Sequence, residues 1–302
     1  MGIKTTNLIW MDGKFVKWKN AKVHILTHAL HYGSSVFEGI HSYKAENGTA
    51  IFRLDEHIDR LFLSAGAMSM KPKFTKTRLK QAVKNLIKIN RAGDAYIRPL
   101  AYYGYGNIGV YPKNVPTNIA LITLPWERYY SKNLKVMTSK YVRHSEKETV
   151  YGTKIGGNYA NSILAMHEAR KKGYDEALML DDDNLVAEGP AENIFVVKNK
   201  TLLTPSSRSA LPGITRKSII EISRDMGLKA YEGKITLEQV RGADEAFFCG
   251  TATEVAPIAS IDSRKIGNGR IGEITAKIKE KYYDAVRGKD RKYRKWLTYV
   301  RF

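Results

Sequence analysis

Hydrophobic side chains recur along this chain at two periods, one typical of strands and one typical of helices. Residues 7–17 and 50–53 are predicted to form short strands, and Asp12-Gly13 between the first pair is a hairpin-turn signal. Asp55 is then predicted to cap a helix. The apolar positions of that helix have the 3/4 spacing of a single buried face: Ile58, Leu61, Phe62, Ala65 and Met68.

The next stretch adds one more helix and two strands. The helix is predicted from about Thr77, and Gly93 marks its end. Residues 95–103 and 119–124 are predicted strands. Residues 125–133 have no clean period and contain Pro, Trp and Tyr, so we interpret them as a linker between two domains.

The second half continues the mixture of helices and strands. A strand is predicted at residues 134–140, and an amphipathic helix at 159–172 is stopped by Gly173. Short strands joined by polar turns follow at 176–180, 185–187, 193–197 and 201–203. The remaining predicted elements are a helix near 215–226, strands near 246–249 and 256–261, and a helix that closes the chain.

This order of elements favours an α+β fold in two domains, because strands and helices do not alternate strictly as they do around a parallel sheet. The predicted domains are a smaller N-terminal α+β domain over residues 1–124 and a larger C-terminal domain over residues 134–302. A chain of 302 residues is comfortable for two cores.

Composition narrows the class of protein. Hydrophobic residues make up 43% of the chain and charged residues 26%, as in ordinary globular proteins. No apolar run is long enough to span a membrane, and we recognise no secretory signal at the N-terminus. Cys249 is the only cysteine, which suits a reducing cytoplasm. We therefore expect a cytoplasmic protein that has no membrane partner.

The net charge of +20 suggests a second class, a nucleic-acid-binding protein. Lys and Arg are spread along the whole chain, and no zinc-ligand spacing or RNA-recognition aromatic motif accompanies them. A basic surface that attracts anionic metabolites fits this distribution better. We therefore expect no nucleic-acid partner, and the nucleic-acid hypothesis rests on charge alone.

Four stretches carry candidate chemistry. Lys154 lies beside Gly156-Gly157 and just before a helix, and a lysine that forms a Schiff base with a planar cofactor needs small neighbours and burial. Glu188 lies at a strand end, where a carboxylate can keep a pyridine nitrogen protonated. The other two stretches can offer backbone N–H groups to a phosphate or another anion. They are Leu211-Pro212-Gly213-Ile214-Thr215, before a helix, and Gly250-Thr251-Ala252-Thr253, after a strand.

Three other patterns point elsewhere and are weaker. The glycines at 104, 106 and 109 have the spacing of a dinucleotide fingerprint, but Pro112 opposes the helix that the fingerprint requires. Three histidines cluster, but without a fitting ligand set, so we expect no metal: His24, His28 and His31. We place His24 in a strand. Glu188 and Glu192 could form a glycosidase pair, but no aromatic sugar platform is evident.

Taken together, the four stretches resemble the class IV, fold type IV, aminotransferases, and within them the branched-chain aminotransferases. The resemblance covers nearly the whole chain. Its motifs are His31-Tyr32-Gly33, Val36-Phe37-Glu38-Gly39, Tyr96-Ile97-Arg98-Pro99-Leu100, Lys154 with Gly156-Gly157-Asn158-Tyr159, Glu188-Gly189 with Glu192-Asn193, Leu211-Pro212-Gly213-Ile214-Thr215-Arg216 and Gly250-Thr251-Ala252. It implies two domains, each with a mixed, antiparallel or barrel-like sheet and packed helices, of which the C-terminal one binds the cofactor.

The resemblance implies a cofactor, pyridoxal 5'-phosphate, and a role for each residue around it. Lys154 would be the catalytic residue, bonded to the cofactor and later carrying a proton between the substrate Cα and the cofactor C4′. Glu188 would pair with the pyridine nitrogen and Tyr159 with the phenolic oxygen, while Leu211 packs on the ring. The phosphate would be bound by Arg60, the backbone N–H groups of Ile214 and Thr215, and Thr251. From periodicity alone, Arg60 lies opposite the apolar face of its helix and would be solvated.

The resemblance also implies a substrate site for leucine, isoleucine, valine and their 2-oxo acids, with 2-oxoglutarate as amino acceptor. Aromatic residues and a glycine would line it: Tyr32, Phe37, Gly39, Tyr96, Tyr129 and Tyr159. Thr251 and Ala252 would hold the α-carboxylate. Arg98 lies on the same side of its strand as Tyr96 and would bind the side-chain carboxylate of glutamate.

Two further expectations follow from the resemblance. The family often has Gly-Ile-Arg where this chain has Gly39-Ile40-His41, which puts efficient use of 2-oxoglutarate in question. The loop at residues 106–110 resembles one that reaches the neighbouring subunit's site, so a homodimer is the minimum assembly. The alternative function within this fold is a D-amino acid or (R)-amine transaminase, or aminodeoxychorismate lyase. Tyr96-Ile97-Arg98-Pro99 favours the branched-chain enzyme, because those relatives usually carry other residues there.

Overall fold

The computed structural model describes residues 4–126, 133–206 and 208–302. Its strands, in chain order, are β1 (Leu8–Met11), β2 (Lys14–Lys17), β3 (Ser35–Phe37), β4 (Ile40–Ala45), β5 (Gly48–Phe52), β6 (Ala95–Tyr103), β7 (Thr117–Pro125), β8 (Leu134–Thr138), β9 (Glu176–Leu180), β10 (Val186–Glu188), β11 (Asn193–Lys198), β12 (Thr201–Pro205), β13 (Lys229–Gly233), β14 (Glu245–Gly250), β15 (Glu254–Ile261), β16 (Arg264–Lys265) and β17 (Leu297–Val300). Its α-helices are α1 (His28–Tyr32), α2 (Leu54–Ala67), α3 (Lys76–Ile89), α4 (Tyr159–Lys171), α5 (Ile214–Asp225), α6 (Leu237–Arg241) and α7 (Glu273–Val286). Short 3-10 segments lie at Trp18–Asn20 and Arg291–Trp296.

The chain divides into two compact units. Unit 1 comprises Met1–Glu127, Thr153–Gly157 and Asp284–Phe302, and unit 2 comprises Arg128–Gly152 and Asn158–Tyr283. The predicted domain boundaries, 1–124 and 134–302, remain a prediction, and residues 127–132 of the predicted linker lie outside the described residues. Two segments from the second half of the sequence, 153–157 and 284–302, belong to unit 1 rather than to unit 2.

Unit 1 is built on an antiparallel sheet in the order β17-β5-β4-β6-β7-β1-β2, with β3 also paired to β6. Alternate residues of β6 face a core shared with α2 and α3, among them Ile97 and Ala101. The intervening side chains, including Tyr96 and Arg98, therefore lie on the opposite face of the sheet. That second face carries most of the unit's candidate site residues.

Unit 2 is built on a mixed sheet in the order β10-β9-β8-β15-β14-β11-β12-β13, with β16 paired to β15. Strand β8 runs parallel to β9 and β15, and β12 runs parallel to β13, while the other pairs are antiparallel. One core lies among the strands and α6, and a smaller one lies under α4. The α+β class and the mixed and antiparallel sheets are as the sequence and the resemblance predicted.

Three local predictions are wrong. Asp55 does not cap α2, because the helix starts at Leu54 and its N-cap is Arg53, which has a left-handed φ of 45°. His24 lies outside the strands, in a segment that precedes α1. The C-terminal helix α7 does not close the chain, because β17 follows it and pairs with β5.

Within the described part of the chain, the helices are too short or too polar to cross a bilayer.

Candidate active site

Lys154 is held in place through its backbone on two sides. Its carbonyl accepts a hydrogen bond from Phe37 N (3.1 Å), and its own N–H donates to Ser64 Oγ of α2 (2.9 Å). Gly156 N donates to Ser35 O (2.7 Å), so this segment runs along β3 like an added strand. The Lys154 Nζ atom lies 4.9 Å from the centre of the Phe37 ring. The amine is therefore presented from a fixed backbone on the non-core face of the sheet.

The glycines that follow Lys154 have a packing reason. A Cβ at Gly156 would lie 2.2 Å from Ser35 Oγ, and a Cβ on Gly33 would lie 2.8 Å from Gly157 Cα. The segment can approach β3 and the end of α1 this closely only because these residues lack side chains. The sequence reasoning assigned Gly156 and Gly157 to cofactor access, whereas the close contacts observed in unit 1 are with the Ser35 side chain and the Gly33 backbone.

The position of Arg60 opposite the apolar face of α2 predicted a solvated side chain, and that prediction is wrong. Its side chain is 11% exposed and pairs with Glu38, which is fully buried. Arg60 Nε lies 2.6 Å from Glu38 Oε1 and Nη2 lies 2.9 Å from Oε2. His57, one turn earlier on α2, places Nδ1 2.7 Å from the same Oε2.

The ionisation of this cluster is set by burial and charge together. Burial would raise the pKa of Glu38, but the Arg60 charge and the hydrogen bonds from His57 and Arg60 lower it to about 2. Burial lowers the pKa of His57. At neutral pH, Glu38 is therefore an ionised acceptor and His57 a neutral donor through Nδ1.

Arg98, Tyr96 and Phe37 form a cluster on the non-core face of the unit 1 sheet. Arg98 Nη2 donates to Tyr96 Oη (2.8 Å), and the guanidinium carbon lies 4.6 Å from the centre of the Phe37 ring. A Cβ on Gly39 would lie 2.2 Å from Tyr96 Oη, so Gly39 is needed for the tyrosine to reach this position. The predicted same-side placement of Tyr96 and Arg98 is confirmed.

His41 and Trp126 extend that cluster. His41 pairs with Tyr96 in the sheet register, is 2% exposed, and its ring centre lies 4.8 Å from that of Trp126. Trp126 stacks on Tyr96 at 5.5 Å. In the part of the chain that the structure describes, two buried N–H donors on this face lack a hydrogen-bond partner: Arg98 Nε and Trp126 Nε1. Such donors suit a negatively charged ligand group.

One predicted substrate residue stands apart from this cluster, and another is not described. Tyr32, at the end of α1, is 44% exposed and its hydroxyl donates to Ile108 O. Tyr129 lies outside the described residues. Three clustered residues of unit 1, namely Phe37, Tyr96 and Arg98, are thus brought together, and Lys154 joins them over the Phe37 ring.

In unit 2, Glu188 ends β10 and is almost fully buried, and three donors hold its carboxylate. Arg143 Nε donates to Oε1 (2.7 Å), while Asn193 Nδ2 (3.1 Å) and Leu211 N (3.0 Å) donate to Oε2. Burial alone would lower the pKa of Arg143, but the Glu188 carboxylate raises it above its usual value, with Tyr159 adding a smaller effect. The carboxylate is therefore fixed in direction and remains paired with a permanent cation.

Arg143 also ties α4 to this carboxylate. Its Nη1 donates to Ser162 Oγ (2.8 Å), and Ser162 Oγ in turn donates to Pro190 O (2.7 Å). Tyr159, the first residue of α4, is half-buried and acts electrostatically on Arg143. The structure thus places Tyr159 and Glu188 around one buried guanidinium.

The stretch before α5 lies next to Glu188. Asn193 Nδ2 donates to Leu211 O (2.8 Å), and a Cβ on Gly213 would lie 2.0 Å from Asn193 Oδ1. Gly213 is the N-cap of α5 and supplies no side-chain acceptor to the first turn. The backbone N–H groups of Ile214 and Thr215, in the first turn of the helix, are therefore of the kind that bind an anion.

Thr251 and Ala252 form the turn between β14 and β15, closed by the pair Gly250 and Glu254. Both turn residues are half-buried. A Cβ on Gly250 would lie 3.6 Å from Ala191 O, in the loop that joins β10 to β11. The hydroxyl turn therefore lies beside the loop that follows Glu188.

A buried pair of carboxyl groups lies next to this network. Glu176 and Glu192 are 2% and 5% exposed, and their side chains are hydrogen-bonded to each other. Burial, followed by the neighbouring Glu176, raises the pKa of Glu192 well above its usual value. Two hydrogen-bonded carboxyl groups share a proton, so Glu192 is the neutral member of the pair. The glycosidase reading needed Glu192 as an exposed catalytic acid or base, which this burial does not provide.

Sequence reasoning missed several residues of these clusters, among them His57 and the three that follow. Arg143 lies in a loop without a period, so nothing in the sequence distinguishes it from a surface arginine. Trp126 was assigned to the linker. Glu38 belonged to a quoted motif but was given no role. A buried charge whose partner is far away in the sequence can be recognised only once the fold is known.

The two weaker leads resolve into local structure. The glycine-rich stretch at residues 104–109 contains no helix, as Pro112 indicated, so the dinucleotide reading fails. His28 is buried, with Nδ1 2.7 Å from Ser34 Oγ and Nε2 2.9 Å from Gly109 O. Its ring nitrogens are therefore engaged in hydrogen bonds that join α1 to this glycine loop.

Comparisons of this chain with a family model and with known relatives agree on one family. The family model described as amino-transferase class IV matches residues 35–261. The branched-chain-amino-acid aminotransferase of Pseudomonas aeruginosa is 42% identical over 299 residues, with 97% of each chain covered. The enzyme of the same name from Escherichia coli strain K12 is 37% identical, with 99% of each chain covered.

Solved structures agree with these relatives. The T.th. branched-chain amino acid aminotransferase complexed with N-(5'-phosphopyridoxyl)-L-glutamate has a TM-score of 0.96 at 41% identity, covering 99% of this chain and 100% of that one. The Escherichia coli enzyme has a TM-score of 0.95 at 37% identity, covering 98% and 100%. Another structure of the T.th. enzyme contains pyridoxamine 5'-phosphate.

Proposed function

This chain belongs to the class IV aminotransferase family, and from that premise we propose that it reversibly transfers the amino group of L-leucine, L-isoleucine or L-valine to 2-oxoglutarate. It is a fold type IV enzyme that uses pyridoxal 5'-phosphate. The substrates are proposed from relatives that are 37–42% identical over nearly their whole length and are named for branched-chain amino acids. The same relatives do not favour the D-amino acid or (R)-amine alternative.

The observation that carries this proposal is the presentation of Lys154. Its backbone is bonded to both β3 and α2, and its amine lies over the Phe37 ring beside the Arg98 cluster. A solvated surface lysine needs no such anchoring. A nucleophilic amine does, because the reacting nitrogen must be held at one place.

The residues present fit the cofactor's three recognition needs. Glu188 is a buried, oriented carboxylate that would hold a proton on the pyridine nitrogen. Tyr159, close to the same arginine, would donate to the phenolic oxygen. Arg60, the α5 start at Ile214 and Thr215, and Thr251 would bind the phosphate, and Leu211 would pack on the ring.

When bound, pyridoxal phosphate supplies an aldehyde that condenses with amines and a ring that accepts electrons. The protein's part is to hold atoms and move a proton. Lys154 Nζ would first bind that aldehyde and, after the substrate amine displaces it, carry the proton between substrate Cα and cofactor C4′. Glu188, kept ionised beside Arg143, would keep the ring nitrogen protonated.

The substrate residues divide two tasks between them. Phe37, Gly39, Tyr96, Tyr32 and Tyr129 would accept an aliphatic side chain. Arg98, whose Nε lacks a partner among the described residues, would bind the second carboxylate of 2-oxoglutarate. Thr251 and Ala252 would bind the α-carboxylate through the turn backbone. Trp126 adds a second buried donor on the Arg98 face, which helps to compensate for His41 in place of arginine.

We further propose a homodimer in the cytoplasm. The chain exposes a contiguous apolar patch in unit 1, formed by residues 23–32 and 105–111, which fits a second copy. The only cysteine, Cys249, is buried, so the fold has no need of an oxidising compartment.

A substrate panel tests the proposed function directly. Wild-type enzyme, which should be yellow from its cofactor, is assayed with Leu, Ile, Val, D-Ala, Glu and an (R)-amine. We expect the three branched-chain amino acids to give the highest kcat/KM. Lys154→Ala should abolish transamination while the fold, followed by circular dichroism, is retained. Wild-type turnover in that variant, or a preference for D-Ala or the amine, would refute the proposal.

The same panel tests the division of labour in the pocket. Arg98→Ala should lower kcat/KM for glutamate and 2-oxoglutarate at least about tenfold more than for leucine, because a charge-assisted hydrogen bond is lost only for the former. Tyr96→Phe is the matched control, since it removes the bond to Arg98 and keeps the charge. Equal losses for leucine and glutamate in Arg98→Ala would show that Arg98 does not select the dicarboxylate.

A further inference from the structure

Helix α2 carries two different stripes. Its apolar stripe, which includes Ile58 and Leu61, packs into the unit 1 core. A polar stripe lies beside it at the same 3/4 spacing and consists of His57, Arg60 and Ser64. All three polar residues are buried or nearly so, and each makes a hydrogen bond outside the helix. A helix face of this kind is built to position groups, because burying polar side chains costs free energy unless each is bonded.

Glu38 is the fixed point of that stripe. Its side chain has no exposure, and its two oxygens accept three bonds from Arg60 and His57, all between 2.6 and 2.9 Å. Its backbone N–H donates to Pro99 O of β6 (2.9 Å). The carboxylate is therefore tied to the sheet on one side and to α2 on the other.

This ion pair does more for geometry than for stability. A buried salt bridge contributes little net stability, because desolvation offsets the attraction. A two-pronged hydrogen bond does, however, fix the orientation of the guanidinium group. The bond between Arg60 and Glu38 uses the Nε and Nη2 edge of the guanidinium. Glu38 therefore sets the plane of the guanidinium and the direction in which its Nη1 atom points.

We infer that Glu38 is a positioning residue that, through Arg60, sets how tightly the enzyme binds the phosphate group of its cofactor. This inference rests on the proposed function, in which Arg60 is a phosphate ligand. The preceding residue supports it, since Phe37 N bonds to Lys154 O and the next turn of α2 bonds to Lys154 N through Ser64. The segment Phe37-Glu38 and helix α2 thus fix both the backbone that carries the Lys154 amine and the guanidinium of Arg60, all within unit 1.

The test compares pyridoxal phosphate with pyridoxal, which lacks the phosphate. Both bind the same amine, so the dissociation constant of pyridoxal divided by that of pyridoxal phosphate, measured by absorbance titration of apoenzyme, isolates the phosphate contribution. Glu38→Gln should weaken pyridoxal phosphate at least about tenfold and leave pyridoxal within about twofold. Glu56→Gln is the matched control, because it removes from α2, the helix that carries Arg60, a carboxylate that pairs with Arg53 instead, and it should leave the ratio unchanged.

Two further variants keep the test decisive. Glu38→Asp keeps the charge but shortens the reach, and should lower the ratio as Glu38→Gln does. Arg60→Met should lower it at least as far. An equal loss of both ligands in the Glu38 variants, or an unchanged ratio, overturns the inference. If only Arg60→Met lowers the ratio, the positioning role fails while the proposed function stands; if wild-type Lys154 binds neither aldehyde, the proposed function fails as well.

Discussion

At the scale of single residues, buried charges are prominent among the candidate site residues of each unit, and the neighbours of these charges fix their protonation states. Glu38 is ionised because Arg60 and His57 surround it, and Glu188 is held by Arg143 and two amide groups. Glu192 has a carboxyl group as its neighbour instead of a cation, and its proton is retained. The buried carboxyl groups of Glu38 and Glu192 therefore have opposite protonation states.

The protonated state of Glu192 predicts a pH dependence of stability. Its folded-state pKa lies above its ordinary value of 4.5, so the folded chain binds the proton more tightly than the unfolded chain does. The stabilisation from the proton is complete below pH 4.5 and is lost as pH rises through the folded-state pKa. Glu192→Gln mimics the neutral acid and does not titrate. Its Tm relative to wild type should therefore increase with pH across that range, by at least about 2 °C.

Thermal unfolding in a pH series measures this difference. Glu46→Gln, on the exposed turn before β5, is the control and should show no comparable trend. A Tm difference for Glu192→Gln that stays constant from acid to alkaline pH would show that Glu192 is ionised in the fold like any other glutamate.

Which single residues could be predicted depended on how local their signals were. Lys154, Glu188 and Thr251 stand in motifs of adjacent residues, so the sequence alone makes them candidates. Arg60 looked solvated, because periodicity reports only the face of a helix and not the carboxylate that folds against it. Its partner Glu38 is 22 residues earlier in the sequence. Only the resemblance gave Arg60 a role.

At the scale of elements, the backbone around Lys154 depends on a close approach at Gly33. Gly33 has a φ of +61° at the end of α1, and a Cβ there would lie 2.8 Å from Gly157 Cα. Gly173, after α4, has a φ of +79° and open space around the Cβ position. The two glycines therefore share a left-handed backbone but differ in packing.

Substituting alanine at each glycine separates these effects. Gly173→Ala should cost about 1 kcal/mol, from the left-handed backbone alone. Gly33→Ala should cost about 1–3 kcal/mol more, because backbone atoms must shift to remove the clash. It should also reduce cofactor loading, since the displaced segment carries Lys154. Urea unfolding and absorbance titration measure the two quantities, and equal costs with normal loading would contradict the packing argument.

Helices and strands could be predicted where their own hydrophobic pattern indicates them. Helices α2, α3 and α5 have amphipathic sequences, and strands β6 and β9 have the predicted bounds. The four residues of β17 have too short a pattern to indicate a strand and are defined by pairing with β5, far away in the sequence. The five-residue α1 is likewise fixed by tertiary bonds, such as His28 N to Gly104 O (2.9 Å). Long-range pairing decides these elements, and periodicity cannot report it.

At the scale of the whole molecule, the net charge of +20 is distributed over the surface and does not form a motif. One long basic stretch is residues 71–91, which contain eight Lys or Arg and no Asp or Glu. Some of these charges are paired, as in Lys76 with Asp59 and Lys80 with Asp55. A basic surface attracts anionic 2-oxo acids as well as nucleic acid. The charge therefore does not decide between the two classes, and the family membership does.

The strongest whole-molecule expectation concerns the apolar patch of residues 23–32 and 105–111. These two segments touch each other, since Thr27 pairs with Tyr105 and Tyr32 bonds to Ile108 O. The most exposed large apolar side chains of the patch, Ile25, Val110 and Tyr111, are between 73% and 78% exposed. Contiguous apolar surface of this kind in a folded chain marks an interface. A second copy of this chain is the expected occupant.

Light scattering during size exclusion tests the dimer, because two copies of a 34.1 kDa chain are readily distinguished from one. Val110→Asp introduces a charge that must be desolvated on association and should lower the mass toward the monomer. It should also lower activity, since the loop at 106–110 is expected to reach the neighbouring subunit's site. Tyr231→Asp, at a 52% exposed position on β13, is the control and should leave mass and activity unchanged. A wild-type enzyme that is fully active at the monomer mass would show that the patch serves something other than self-association.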